Sequence, residues 1–157
     1  MNPPDPSGDA TPETIAEIID RAMDSVPFGR WLGLHLTGIE GDRVLMHLSM
    51  RDEFVGNPAR NILHGGVISA VLDTVGGFAA FLGVLTRGGG DTKAVQASPW
   101  LSTIDMRTDY LRPGIGNAFT AEAFPLRVGN RLVVIRTEFR NDACDLIAVG
   151  TGTYVVP

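Results

Sequence analysis

The chain has 157 residues, 44% of them apolar and 20% charged, a balance that fits one soluble globular domain with a sizeable core. Thirteen basic against eighteen acidic side chains give a formal charge of −5, which argues against general nucleic-acid binding. A lone cysteine, Cys144, excludes an internal disulfide framework and fits a reducing, cytoplasmic compartment.

Met1 to Ala10 is rich in Pro, Asp and Gly and holds no Lys or Arg. It lacks the basic and apolar regions of a signal peptide and reads as a disordered tail, which leaves residues 11–157 as a single domain. Thr11-Pro12 then has the signature of an N-cap followed by proline at the first helical position. Ile15, Ile18, Ile19, Ala22 and Met23 repeat at i, i+3, i+4, i+7 and i+8, an amphipathic helix that Pro27 stops. Phe28, Trp31 and Leu32 are expected to pack it onto the next part of the chain.

Leu34 to Ile39 reads as a strand, with Glu40-Gly41-Asp42 as a turn. Val44, Met46, Leu48 and Met50 alternate with Leu45, His47 and Ser49 in a second strand. Arg51 to Leu63 is a loop with turn chemistry at Val55-Gly56-Asn57-Pro58.

His64 to Leu82 forms one helix, apolar on nearly every face and therefore buried. It is too interrupted by Asp, Thr and Gly to be a good membrane span. Its only charged side chain is Asp73. A carboxylate is almost never buried without a partner, so Asp73 is either ion-paired, with an arginine such as Arg107, or a working residue. Ser69, Asp73, Gly76 and Gly77 share one helical face, a small polar stripe wide enough for a partner or a substrate. Gly65-Gly66 opens the helix with unpaired backbone N–H groups at the positive end of its dipole, a geometry suited to an oxyanion or to tight loop packing. Asp73 lies eight residues on, roughly 12 Å along the axis, so one helix cannot bring both groups to the same carbonyl. Two antiparallel copies can. His64 is suited to acid–base work near neutrality or, more simply, to capping the loop. His35, His47 and His64 have no metal-ligand spacing, and no dinucleotide loop, P-loop or Gly-x-Ser-x-Gly elbow occurs.

Arg87-Gly88-Gly89-Gly90-Asp91 is a flexible connection. In the next strand Thr103, Asp105, Arg107 and Asp109 alternate with Ile104, Met106, Thr108 and Tyr110. Turns at Arg112-Pro113-Gly114, Gly129-Asn130 and Asn141-Asp142 separate strands over Asn117–Val128, Arg131–Arg140 and Cys144–Val155. Cys144 in such an apolar run is a poor nucleophile. About six mostly antiparallel strands and one long helix make an α+β fold, a sheet wrapped around the helix, with an extra N-terminal helix. Its free edges invite a second copy.

The run Leu63-His64-Gly65-Gly66-Val67 with Asp73 nine positions after the His, followed by Ile104-Asp105-Met106-Arg107-Thr108-Asp109-Tyr110-Leu111-Arg112-Pro113, resembles the PaaI-type acyl-CoA thioesterases of the hotdog-fold superfamily. The similarity runs from about Leu34 to Tyr154. It implies a homodimer with joined sheets and active sites at the interface, often paired again into a homotetramer. It also implies an acyl-CoA substrate, no cofactor beyond the CoA of that substrate, no metal, and neither nucleic acid nor membrane as partner. By the resemblance, Gly65 N–H, beside Gly66, polarises the thioester carbonyl, and Asp73 of the facing protomer acts as base or nucleophile. An Asn upstream of the His assists; Asn57, seven positions before it, and Asn61, three before it, both qualify. Thr103, two residues before the strand Asp, orients the water. Arg112, Arg127 and Arg131 are candidates for the CoA phosphates. Phe78, Phe81, Leu82 and Trp100 are candidates for the acyl pocket. Two alternatives stay open: a hotdog module that binds acyl-CoA without cleaving it, and a hydratase or dehydratase using His47 or His64.

Overall fold

The computed structural model describes residues 12–89 and 101–155. The expected tail, Thr11, Trp100 and the end of the 87–91 connection lie outside the described residues.

Helix α1 (Pro12–Ser25) buries Ile18, Ile19 and Met23 and leaves Glu17, Asp20, Arg21 and Asp24 exposed, as the periodicity predicts. Pro27 does stop it, but it also starts a second helix, α2 (Pro27–Leu32), where a proline near the first position costs no hydrogen bond. Gly33 ends α2 at φ +67, in the left-handed region that favours glycine. β1 (His35–Glu40) and β2 (Arg43–Ser49) form a hairpin. The expected loop from Arg51 to Leu63 is more ordered than its turn residues suggest. It contains a 3-10 turn, Asp52–Phe54, and a small ribbon of β3 (Val55–Asn57) and β4 (Ile62–Leu63).

α3 (Gly65–Arg87) is the central helix. After it come β5 (Ser102–Tyr110), β6 (Ala118–Val128), β7 (Leu132–Asn141) and β8 (Leu146–Val155), all antiparallel to their neighbours. The sheet order is β1-β2-β6-β7-β8-β5, so β5, the first strand after the helix, becomes an edge. The sheet curls around α3, whose Ile68, Val71, Leu72, Val75, Ala79 and Ala80 meet Met46, Leu48, Phe119, Phe139 and Ile147 in one core. α3 is long and apolar enough to cross a membrane by length and composition, but its apolar residues are the centre of this core.

Cys144 is not in a strand. It is exposed in the β7–β8 turn with φ +63, and β8 begins only at Leu146. The Asn141 side chain accepts from the Ala143 and Asp145 amides and holds that turn closed.

Candidate active site

α3 is not buried all round. Ser69, Ala70, Asp73, Thr74, Gly77, Phe78 and Phe81 remain half-exposed at helical spacing, a stripe left uncovered by the sheet. Gly76, expected on that stripe, lies instead under the Tyr154 ring. A Cβ there would sit 2.1 Å from the Tyr154 hydroxyl, so only glycine fits.

Among the described residues Asp73 has no arginine partner. Arg107 pairs with Asp109 on the outer face of β5 at 2.9 Å. The carboxylate is held by hydroxyls: Thr103 Oγ1 donates to Asp73 Oδ1 at 2.7 Å, and Tyr154 Oη lies 3.4 Å from the same oxygen and 3.2 Å from the Asp73 carbonyl. Thr103 and Tyr154 are cross-strand partners on β5 and β8, so one rung of the sheet supplies both donors. Burial, then the neighbouring Asp73 charge, holds the Tyr154 phenol well above its ordinary pKa, which keeps it a protonated donor.

A register shift between Thr103 and Asp105 breaks the strict alternation expected of β5. Each such bulge moves later side chains to the other face. Thr103 and Tyr110, on opposite faces by alternation, therefore both reach α3. Tyr110 donates to the Gly65 carbonyl at 2.8 Å, and Ser69 Oγ is 2.5 Å from its hydroxyl. Tyr154 and Tyr110 were not legible as site residues.

At the N-terminus of α3, His64 Nδ1 accepts from Gly66 N–H at 2.9 Å, so the ring caps the helix and, when neutral, carries its proton on Nε2. Gly56 lies against it: a Cβ there would be 2.7 Å from His64 Cα. With Gly66 N–H taken, the Gly65 amide has no acceptor among the described residues. It is a free donor at the positive end of a 23-residue helix.

Asn57 and Asn61 lie in the β3–β4 ribbon just ahead of this end, both exposed, Asn61 at φ +48. Neither bonds to Asp73 or Thr103 within the chain. The three candidate phosphate ligands do not converge. Arg112 donates to Leu146 O and lines a cavity with Asp142 and Asp145, whereas Arg127 and Arg131 share a cavity of about 550 Å³ with Arg87 at the opposite end of α3.

Beside Asp73 opens a cavity of about 340 Å³, lined by α3, the N-terminal helices, Leu101, Thr103 and Tyr154. Phe78 and Phe81 line it as expected; Leu82 does not, being buried in the core at 2% exposure. The chamber is apolar apart from the acid and hydroxyls at one end.

The chain is similar to known proteins over most of its length. A family model described as the thioesterase superfamily matches residues 60–148. A medium/long-chain acyl-CoA thioesterase, YigI, of Salmonella typhimurium is 41% identical over 133 residues, covering 83% of this chain and 86% of that protein. A crystal structure from Shewanella oneidensis, described as related to the thioesterase superfamily, superposes with a TM-score of 0.86 at 41% identity, over 93% of this chain and 97% of the other. The E. coli PaaI protein superposes at 0.73 with 17% identity, over 94% of this chain and 96% of that one, which shows the shared fold.

Proposed function

The chain belongs to the thioesterase superfamily with the hotdog fold, and from that premise we propose that it hydrolyses acyl-CoA thioesters of medium to long aliphatic chains. The observation that carries the proposal is Asp73, the one charged side chain of α3 before its last turn, held by two hydroxyls at the mouth of an apolar chamber. A water beside that carboxylate gives up its proton to Asp73 and adds to the thioester carbonyl. The oxygen takes up the negative charge against Gly65 N–H, a preorganised donor at the point where charge develops. The tetrahedral centre then collapses, the C–S bond breaks, and the CoA sulfur leaves with the proton held by Asp73. Free acid and CoA result.

Gly65 and Asp73 of one chain are roughly 12 Å apart along α3, too far for one carbonyl. The reading therefore requires two copies, joined through the β5 edge so that Gly65 of one faces Asp73 of the other. Ile104, Tyr110 and Leu111, each 48–56% exposed on or next to that edge, favour such a joint. Asn57 and Asn61 sit near the end that would meet the second copy, and there either can steady the water or the carbonyl. Thr103 fixes the carboxylate more directly than the water. His64 acts here through its cap: it occupies Gly66 N–H and leaves Gly65 N–H to the substrate. Arg112 and the Arg127–Arg131 pair are separate candidates for CoA phosphates. No histidine reaches Asp73 within the chain among the described residues, which favours hydrolysis over hydration. A carboxylate held by two hydroxyls has no use in a module that only binds.

The test is thiol release from a panel of acyl-CoAs. Asp73→Asn keeps the size of the side chain and its Oδ1 acceptor, and should lower kcat by at least ~10²-fold with the assembly intact. Undiminished hydrolysis by that variant would remove Asp73 from the mechanism.

A further inference from the structure

The N-terminal helices take no part in the chemistry above, yet they form the outer wall of the chamber beside Asp73. Ala22, Val26 and Phe28 face Gly77, Phe78 and Phe81 across it. Val26 and Phe28 are 39% and 50% exposed, apolar side chains at the rim of an apolar space. Gly77 stands out among the wall residues. A Cβ there would meet Leu101 at 3.7 Å and Tyr154 at 3.9 Å, ordinary contacts, so no close approach demands a glycine. What the missing side chain leaves is room in the chamber.

Two independent measures size that room. From Asp73 to Phe81 is eight helical residues, roughly 12 Å. An extended hydrocarbon advances roughly 1.2 Å per bond, by the zigzag that carries three backbone bonds ~3.6 Å, so about ten bonds fit. The volume of about 340 Å³, at roughly 30 Å³ for each water-sized group, holds about eleven.

We propose that α1 and α2 wall an acyl-chain gauge, in which Gly77 keeps the floor open and Phe81 closes the far end, so that linear acyl chains of about eight to ten carbons fit along it in full. This rests on the thioesterase reading and adds to it the residues that set chain length. Longer chains pass Phe81 only by emerging between the helices or displacing it, and shorter ones leave apolar wall uncovered.

The experiment measures kcat/KM for butanoyl-, octanoyl-, decanoyl-, dodecanoyl- and hexadecanoyl-CoA with the full chain and four variants. The unmodified protein should rise to octanoyl or decanoyl and gain nothing beyond. Gly77→Val and Val26→Phe should each cut the decanoyl-to-butanoyl ratio by about tenfold or more, the usual discrimination of a filled apolar pocket. Phe81→Ala and Phe28→Ala should raise the hexadecanoyl-to-octanoyl ratio. Phe81 packs against the core, so if Phe81→Ala does not fold, the two filling variants carry the test. Ratios unchanged within twofold in the folded variants overturn the gauge while leaving hydrolysis standing. Absence of thiol release from every acyl-CoA by the unmodified protein overturns the thioesterase reading itself.

Discussion

Replacing Gly65 with proline deletes one hydrogen-bond donor and little else, which makes it the sharpest probe of whether the site is divided between two chains. Gly65 is the first residue of α3, where proline is tolerated because that amide has no helical acceptor. The preceding residue, His64, already has ψ 132, the extended conformation that a following proline imposes. A Cβ at position 65 comes 3.3 Å from the Tyr110 ring, so the half-exposed ring must yield by a few tenths of an ångström. Removing one oxyanion donor costs about 10²–10³ in kcat, roughly 3–4 kcal/mol. Asp73→Asn is comparably quiet in structure. Each variant alone should therefore be nearly inactive. Their mixture should not. In a mixed dimer one site joins the intact Gly65 of one chain to the intact Asp73 of the other, while the second site carries both lesions. Random assortment makes half the dimers mixed, so about a quarter of the unmodified activity should return on co-refolding. A site complete within one chain predicts no recovery, because every chain then carries a lesion in its own site. The assay is thiol release from octanoyl-CoA, with mixed dimers counted by native mass spectrometry. Mixed dimers without recovered activity would refute the shared site.

Thr103→Val keeps the branched shape on β5 but removes the donor 2.7 Å from Asp73 Oδ1; a hydrogen bond to a charged group is worth ~1.5–3 kcal/mol, so kcat should fall roughly tenfold to a hundredfold with KM little changed. An equal loss in both parameters would assign Thr103 to substrate binding instead. Tyr154 should govern alkaline stability. Its folded pKa is raised above the ordinary 10.0, so its contribution is complete below that value and is lost as pH climbs and the unfolded chain ionises first. Urea unfolding should show stability falling as pH rises above about 10, and falling less in Tyr154→Phe; parallel losses would exclude this role. Thr137 is 1% exposed and its hydroxyl has no partner among the described residues, so Thr137→Val should stabilise the fold by about 1 kcal/mol, read as a raised melting temperature. A lowered one would mean that the hydroxyl is satisfied after all.

How far the sequence carries depends on how far each contact reaches along the chain. The central helix and Asp73 were legible because both are local facts: an apolar run with one charge in it. The His64 cap was equally local, two residues from the amide it accepts. Thr103 could be named through the family resemblance, but not the bond it makes. Tyr154 and Tyr110 could not be found, because they reach Asp73 and Gly65 from 81 and 45 residues away, by way of a strand order that puts β8 beside β5. The bulge after Thr103 was invisible for another reason. Alternation is counted from residue types, and β5 carries no Gly or Pro to announce that the count slips. The separation of the arginines was hidden by length: Arg112 and Arg127 lie close in sequence, but the eleven residues of β6 carry the chain roughly 36 Å, from one end of the sheet to the other.

The two glycine pairs show the limit most plainly, since in the sequence Gly65-Gly66 and Gly76-Gly77 are the same dipeptide on the same helix. Their surroundings divide each pair in the same way. Gly66 is small because a Cβ there would come within 2.9 Å of the His64 ring that caps its amide, and Gly76 because a Cβ would strike the Tyr154 hydroxyl. Each of these two holds a site residue in place. Their neighbours meet no backbone or side chain closer than 3.3 Å. Gly65 offers an amide without an acceptor, and Gly77 offers volume beside the acid. In each pair, then, one glycine is consumed by the protein's own packing and the other is left clear of it, where the proposed reading puts the substrate. That division cannot be read from residue types, because it is set by strands that arrive from the far end of the chain.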